Sequence, residues 1–207
     1  MKDYGSFSRH KWALPFEVVM FVGGVVQLFE QDWLHLLTSA FTFTVSFAPL
    51  WFERIFKVRL PALLQFSFVA FVFLSMFCGE VFDMYARIWE WDDIIHFSSG
   101  LLIGLGTVVW IAALIESIKN VNIPRWLQSL FVFAIVSAVI VLWELVEFGS
   151  DQLFGTTSQG TLFDTMIDLL YGALGGAIIS ILLVLHLGGR RMQALDRLVN
   201  SYKRLNK

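Results

Sequence analysis

The chain has 207 residues, of which 57% are hydrophobic and 15% are charged, and its net charge is -2. A soluble domain is typically about 45–50% apolar and about 25% charged, and a chain of this size cannot bury so much apolar surface in one water-soluble core. The composition therefore excludes an ordinary soluble domain and predicts an integral membrane protein. Cys78 is the only cysteine, which excludes an intramolecular disulfide and a cysteine-based zinc site.

Six apolar segments are long enough to cross a bilayer, which takes about 20 mostly apolar residues. The first is the weakest, because Glu17 lies near its start and Gly23 and Gly24 interrupt its middle. We expect it to be retained as a span, since it lacks the small-residue cleavage site of a signal peptide, and we expect Glu17 to hydrogen-bond within the bundle or to reach the interface. The segments lie at about 12–29, 33–53, 60–78, 94–115, 127–148 and 165–187.

The basic residues indicate which way these spans run. Only one Lys or Arg of the 15, Arg87, falls on the side opposite to the termini. The positive-inside rule therefore predicts that both termini are cytoplasmic. The predicted fold class is all-α, a polytopic bundle of six transmembrane helices in one domain over residues 1–187. The basic residues on the cytoplasmic side are Lys2, Arg9, Lys11, Arg54, Lys57, Arg59, Lys119, Arg125, Arg190, Arg191, Arg197, Lys203, Arg204 and Lys207.

Residues 188–207 are predicted to form a separate, basic cytoplasmic tail. Apolar residues recur there at helical spacing between the basic ones, which predicts an amphipathic helix lying on the anionic inner leaflet. A short solvated helix is the alternative. The apolar stripe consists of Met192, Leu195, Leu198, Val199, Tyr202 and Leu205.

Acidic residues gather at the predicted outer ends of the last three spans. Spacings of three and four residues bring side chains onto one helix face, so that either Asp92 or Asp93 shares a face with His96. Ionisable groups within a span usually face the bundle interior or a water-filled cavity, and we therefore expect the three helices to bring their acids together. The candidate residues are Asp92, Asp93, His96, Glu144, Glu147, Asp164 and Asp168.

Glycines continue two of these polar faces into the membrane. Gly100 and Gly104 follow His96, and Gly172 and Gly176 follow Asp168, so that each face carries a G-x-x-x-G pattern. Small residues at this spacing let helix backbones approach closely. Their packing is expected to draw the acidic faces together.

The candidate acidic residues have no Lys or Arg near them except Arg87. Like charges in a partly desolvated site cannot all stay ionised unless something compensates them. A divalent cation such as Mg²⁺, Mn²⁺, Fe²⁺ or Zn²⁺ would do so, since carboxylates and an imidazole are suitable ligands. Protonated carboxylates are the alternative, because intramembrane acids also act as proton relays.

An organic cation is the third option. Trp89, Trp91 and Trp143 lie near the acids at headgroup depth, and aromatic rings with carboxylates hold ammonium groups such as that of a phospholipid head. For a single tryptophan, an ordinary interfacial belt is the simpler interpretation.

Three stretches carry a family resemblance: W-D-D-I-I-H-F-S-S-G, W-E-L-V-E-F and F-G-T-T-S-Q-G-T-L-F-D-T-M-I-D. Their order resembles the YjdF-like family of bacterial inner-membrane proteins and, more distantly, the VanZ-like proteins. The likeness covers roughly residues 89–176, and the first three helices match only in hydropathy. It implies a place in the bacterial cytoplasmic membrane and no particular reaction. The matching positions are Asp92 or Asp93, His96, Gly100, Glu144, Glu147, Gly160, Asp164 and Asp168, and the sequence departs from the pattern at Thr161.

The leading functional hypothesis is a metal-dependent hydrolase or transferase that acts at the outer leaflet on a lipid or lipid-linked substrate. Glu144 and Glu147 are the candidates for a general base. A proton- or cation-coupled transporter is the first alternative, although the apolar middle of the last three helices favours a one-sided pocket. A non-catalytic protein that binds lipids or a partner is the second. We expect membrane lipids as partners and do not expect nucleic acid. The sequence does not determine the oligomeric state.

Overall fold

The computed structural model of the chain describes residues 10–118 and 122–207, and these residues form helices and no strand. Lys2, Arg9 and Lys119, which contribute to the prediction of the topology, lie outside the described residues.

The helices follow one another with short connections. In the first half they are α1 (Leu14–Glu30), α2 (Trp33–Ser46), α3 (Ala48–Phe56), α4 (Ala62–Val72), which continues as a π-helix over Phe73–Val81, and the short α5 (Met84–Arg87). In the second half they are α6 (Trp91–Ser117), α7 (Arg125–Phe154), α8 (Leu162–Leu187) and α9 (Gln193–Asn206).

Five helical segments of the described chain are long and apolar enough to cross a membrane. They coincide with the second to the sixth predicted spans. The first predicted span is α1, whose 17 residues are fewer than the roughly 20 that a typical bilayer takes. Its crossing therefore stays a prediction. The five segments are Trp33–Phe56, Ala62–Val81, Trp91–Ser117, Arg125–Phe154 and Leu162–Leu187.

The chain divides into two compact units. The first comprises the described residues up to Asp92 together with Ser201–Lys207, and the second comprises Asp93–Asn200. The division falls in the first turn of α6, so that Asp92 stands on one unbroken helix with the residues that follow it. The predicted domain boundary at residue 187 falls at the end of α8.

The core of the second unit lies where α6, α7 and α8 pack together. Its buried side chains are aliphatic, as expected for helices that associate by close packing in a membrane. They are Val108, Ile111, Val132, Val136, Ile140, Ile179 and Leu183.

The predicted amphipathic helix in the tail is α9. Leu195 and Leu198 are only 4% and 3% exposed, and Val199 packs against the aliphatic core of the second unit. This part of the apolar stripe is therefore covered by protein rather than by lipid. An amphipathic pattern predicts that one face is buried, but it does not determine what covers that face.

Candidate functional site

Three buried polar side chains meet in the second unit, one from each of α6, α7 and α8. His96, Glu144 and Asp168 are each no more than 5% exposed. Nδ1 of the His96 ring lies 3.8 Å from Oε1 of Glu144, and Nε2 lies 3.9 Å from Oδ1 of Asp168. The imidazole is thus placed between two carboxylates that belong to different helices.

Asp92 adds a third carboxylate. One carboxylate oxygen each from Asp92 and Asp168 and one ring nitrogen of His96 lie within 4.8 Å of one another. Asp92 stands one turn before His96 on α6, as the spacing of four residues predicts. We call Asp92, His96, Glu144 and Asp168 the polar cluster. Of the two candidates at the start of α6, Asp92 supplies an oxygen to this group of possible ligand atoms.

Glycines allow α6 and α8 to touch directly beneath the polar cluster. A Cβ atom built on Gly100 would lie 2.1 Å from the carbonyl oxygen of Gly172, and one on Gly175 would lie 2.4 Å from that of Phe97. No side chain fits at either position. Backbone contact one turn below His96 and Asp168 holds these two residues close together.

The remaining glycines of α8 face α7. A Cβ on Gly172 would lie 2.4 Å from Cδ1 of Ile140, and one on Gly176 would lie 2.6 Å from Cγ1 of Val136. The predicted G-x-x-x-G pattern of α8 therefore accommodates side chains of α7, while Gly175, which the pattern does not include, makes the close approach to α6.

Asp164 lies apart from the polar cluster because it caps α8. Its Oδ2 accepts hydrogen bonds from the backbone N–H of Thr161 at 3.1 Å and from the Thr161 hydroxyl at 3.2 Å. The N–H of Asp164 in turn donates to Oγ1 of Thr161 at 3.2 Å. This reciprocal capping box satisfies groups that the first turn of a helix leaves without partners. The exposed Asp164 is thus committed to the helix start, and the prediction that it ligates a metal has no support from the geometry.

Glu147 also has another partner. Its Oε1 accepts a hydrogen bond of 2.8 Å from the indole N–H of Trp143, one turn earlier on α7. Glu147 is half-buried beside the exposed Trp143, whereas Glu144 is buried, and the general-base role predicted for Glu144 or Glu147 stays a prediction.

The tryptophans predicted to bind a headgroup differ in their surroundings. Trp89 is 83% exposed and Trp143 is 49% exposed. The indole nitrogen of Trp91 is buried and has no hydrogen-bond partner within residues 10–118 and 122–207. These environments do not identify an aromatic cage, and the headgroup role stays a prediction.

Asp151 is a polar residue whose role the sequence reasoning missed. Its carboxylate accepts hydrogen bonds from the Thr156 hydroxyl at 2.6 Å and from the backbone N–H groups of Ser158 at 2.8 Å and Gln159 at 3.0 Å. It thereby fixes the loop between α7 and α8. The available signal was an aspartate followed by a run of Gly, Thr and Ser, which is typical of side-chain-supported turns.

A second buried pair lies in the first unit and was missed as well. Nε2 of His10 is 2.6 Å from Oε1 of Glu17, and the Ser46 hydroxyl donates to the same oxygen at 3.4 Å. Of the two roles left open for Glu17, the structure shows hydrogen bonding within the bundle. His10 precedes the predicted first span, so the hydropathy of that span gave no sign of the pairing.

Comparisons with known proteins place the chain among membrane proteins. A family model described as "Predicted membrane protein (DUF2238)" matches residues 12–189, a range that contains the whole polar cluster. An "Uncharacterized protein" of Thermotoga maritima (strain MSB8) is 29% identical over 132 residues. The matched stretch covers 63% of this chain and 66% of that protein, slightly under two thirds of its length. No solved structure matches the chain.

Proposed function

The chain belongs to the DUF2238 family of predicted membrane proteins, and we propose that it is a membrane-embedded enzyme whose polar cluster binds one divalent cation and acts on a lipid or lipid-linked substrate. The observation that carries this proposal is the burial of His96 between Glu144 and Asp168, each from a different helix. Buried carboxylates are costly unless a positive charge compensates them, and a divalent cation would supply that charge.

Asp92, His96 and Asp168 would hold the cation. Metal bonds to oxygen and nitrogen are about 2.1 Å long, so that two ligand atoms on one ion are at most about 4.2 Å apart. The three candidate ligand atoms lie within 4.8 Å of one another. A small movement of the side chains toward one another would let all three bind one ion. Three protein ligands leave room for water and substrate, as in catalytic sites. When bound, the ion would activate water or polarise a phosphoryl or ester group.

Glu144 would act from the other side of the ring. A histidine that ligates a metal through one nitrogen usually donates the N–H of the other to a carboxylate, which fixes the tautomer and the ring orientation. Glu144 faces Nδ1 of His96 at 3.8 Å, so that a closure of about 0.6–0.9 Å would make this hydrogen bond. In this role Glu144 positions His96 by accepting the Nδ1 proton.

The surface around the nearby loop supports a lipid substrate. Four large apolar side chains flank residues 155–161 and are 74–80% exposed, a combination that suits contact with acyl chains and headgroups. Glu144 precedes Phe154 by ten residues, or about 15 Å along the helix. The polar cluster would therefore lie below the headgroups, where a substrate arrives from the lipid. The four residues are Leu153, Phe154, Leu162 and Phe163.

The middle of the helices does not favour transport. Residues 97–115 of α6, 126–143 of α7 and 169–185 of α8 contain no Asp, Glu, His, Lys or Arg. A transporter with a site of this kind usually carries polar groups through the midplane. A site open to one side of the membrane is therefore the better fit.

The test is cation binding by metal-depleted, detergent-purified protein, measured by calorimetric titration with Zn²⁺, Mn²⁺ and Mg²⁺. We expect one cation per chain, and we expect Asp168→Asn to weaken its binding more than tenfold. Asp164→Asn is the matched control, because it removes the same charge from the same helix one turn away and should bind as the wild type does. Glu144→Gln should reduce the affinity about 10–100-fold, as loss of an outer-sphere partner does. Absence of stoichiometric binding would overturn the metal site, and proton-coupled flux in liposomes would then favour transport.

We also infer six spans with both termini in the cytoplasm of a bacterial cell. Hydrogen bonds to His10 and Ser46 keep Glu17 out of contact with lipid, which lowers the cost of placing α1 in the membrane. The DUF2238 match is consistent with the resemblance to YjdF-like proteins of bacterial inner membranes. In a Cys78→Ser background, a membrane-impermeant thiol reagent applied to intact cells should label Ser158→Cys and leave Ser201→Cys unlabelled. The reverse pattern would refute this topology.

A further inference from the structure

A second surface feature lies between α7 and α8, at the end away from the polar cluster. Here the two helices leave an open groove with a volume of about 390 Å³. Ser129, on the groove, precedes Glu144 by fifteen residues, or about 22 Å along α7. The walls are formed mainly by Trp126, Leu130 and Phe133 of α7 and by Ser180, Ile181 and Val184 of α8.

One hydrogen bond ties the two helices together along this groove. The Ser180 hydroxyl donates to the backbone carbonyl of Ser129 at 2.6 Å. The hydroxyl of Ser129 itself lines the groove, is buried, and has no hydrogen-bond partner in the part of the chain that the structure describes. Leu130 and Ile181 remain 51% and 56% exposed, so that the groove opens to the surface that these helices present to lipid.

Three arginines stand at the end of this groove. Arg125 is the first residue of α7 and adjoins Trp126, and a Cβ built on Gly188 would lie 2.9 Å from its Nη1. The guanidinium group thus lies against the turn that follows α8. The N–H of Gly188 donates to the carbonyl of Val184, a groove residue, at 3.0 Å. Arg190 and Arg191 are exposed in the same turn.

These arginines have no acidic partner among the described residues. The acidic side chain on the following helix, Asp196, lies 3.5 Å from His186 and pairs with it. The end of the groove therefore carries concentrated positive charge beside the apolar walls. A ligand that complements both features has an aliphatic chain and an anionic group at one end.

We propose that this groove binds an anionic phospholipid, with one acyl chain against the apolar walls and the phosphate beside Arg125 and the Arg190–Arg191 turn. Basic pockets between membrane helices bind anionic lipid headgroups, and the planar guanidinium group suits bidentate contact with phosphate. A zwitterionic lipid places an ammonium group at the same end and gains less from the arginines. The site is separate from the polar cluster and does not depend on cation binding there.

The test is native mass spectrometry of the full-length protein in detergent, titrated with phosphatidylglycerol or with phosphatidylcholine of the same acyl chains. We expect phosphatidylglycerol to bind at least fivefold more tightly. Arg125→Gln should weaken its binding about tenfold, and Arg197→Gln, which removes an exposed arginine from α9, should leave it within twofold of the wild type. Val184→Phe should fill the groove and weaken binding of both lipids. Leu130→Phe serves the same purpose if Val184→Phe does not fold.

Equal affinity for the two lipids would overturn the proposal. So would an equal effect of Arg125→Gln and Arg197→Gln, because this would show a general effect of charge rather than a site. Unchanged binding in a folded groove-filling variant would exclude the acyl-chain position. Cation binding at the polar cluster, measured in the same variants, should be unchanged, so that failure of this site is distinguishable from failure of the metal site.

Discussion

Replacement of Gly100 by alanine should separate α6 from α8 and weaken the cation binding that we propose for the polar cluster. The added Cβ would lie 2.1 Å from the carbonyl oxygen of Gly172 and 3.1 Å from the backbone nitrogen of Gly176. Ordinary van der Waals contact begins at about 3.4 Å, so that the two backbones must move apart by about 1.3 Å. His96 and Asp168 each lie one turn from this contact, and the displacement reaches them.

The expected change in the free energy of unfolding is the difference between two opposing contributions. Overpacking of this kind costs about 1–3 kcal/mol, while alanine is about 0.8–1.0 kcal/mol more favourable than glycine in a helix interior. We therefore expect Gly100→Ala to destabilise the protein by up to about 2 kcal/mol, which leaves it folded. Metal-ligand distances tolerate only about ±0.2 Å, so cation affinity should fall more than tenfold.

The assay pairs thermal unfolding in detergent with cation titration, and Gly106→Ala is the matched control. Gly106 lies on the same helix, and a Cβ there would meet nothing within 4 Å. This variant should bind the cation normally and be at least as stable as the wild type. If Gly100→Ala binds the cation with wild-type affinity, the close contact of α6 and α8 does not position the ligands, and the reasoning fails.

Two further predictions concern polar groups outside the polar cluster. Asn206→Ala should destabilise the protein by about 1–3 kcal/mol, because Asn206 accepts a hydrogen bond from the Arg59 N–H at 2.7 Å and donates one to the Arg59 carbonyl at 2.8 Å. Asn200→Ala, at an exposed position of the same helix, should change the unfolding temperature little. Hydrogen bonds from the ring and the backbone N–H of His35 hold the pKa of Asp32 below its ordinary value. The resulting stabilisation is present above about pH 4 and is lost as the pH falls through the lowered pKa, so that Asp32→Asn should make the unfolding temperature less dependent on pH in the acid range.

The sequence predicted the polar cluster well because two signals with the same period coincide there. Spacings of three and four residues placed acids on one face of each helix, and glycines on α6 and α8 let these two helices approach closely. His96, Glu144 and Asp168 meet as this combination predicts. The choice between Asp92 and Asp93 depended on the rotation of α6 about its axis, which a spacing of three or four residues does not determine.

Asp164 and Glu147 show that acids on a shared helix face can have other partners. Asp164 shares a helix face with Asp168, but it is also the third residue of α8, where unsatisfied N–H groups attract a capping side chain. The T-x-x-D pattern from Thr161 to Asp164 was visible in the sequence and predicts that cap. For Glu147, Trp143 lies four residues earlier, and its indole N–H donates to the carboxylate.

The partners of His10 and of Val199 could not be predicted for a different reason. His10 precedes the predicted first span and contacts Glu17 within it, and Val199 follows the last span and packs against the core of the second unit. Hydropathy and periodicity describe one segment at a time, and they determine which face is apolar without naming the surface that covers it. Such contacts depend on the tertiary structure.

The polar cluster and the groove lie toward opposite ends of α7 and α8. The direction in which these helices cross the membrane therefore decides which leaflet each of them faces. Acids lie toward one end, at Glu144 and Asp168, and arginines lie at the other, at Arg125 and in the turn after α8. The positive-inside rule predicts that the arginine end is cytoplasmic, where the leaflet is rich in anionic lipid. A reversed orientation would place the arginine groove in the outer leaflet and the polar cluster next to the cytoplasm. Labelling of Ser158→Cys from outside the cell therefore decides in which leaflet each of the two proposed ligands must be sought.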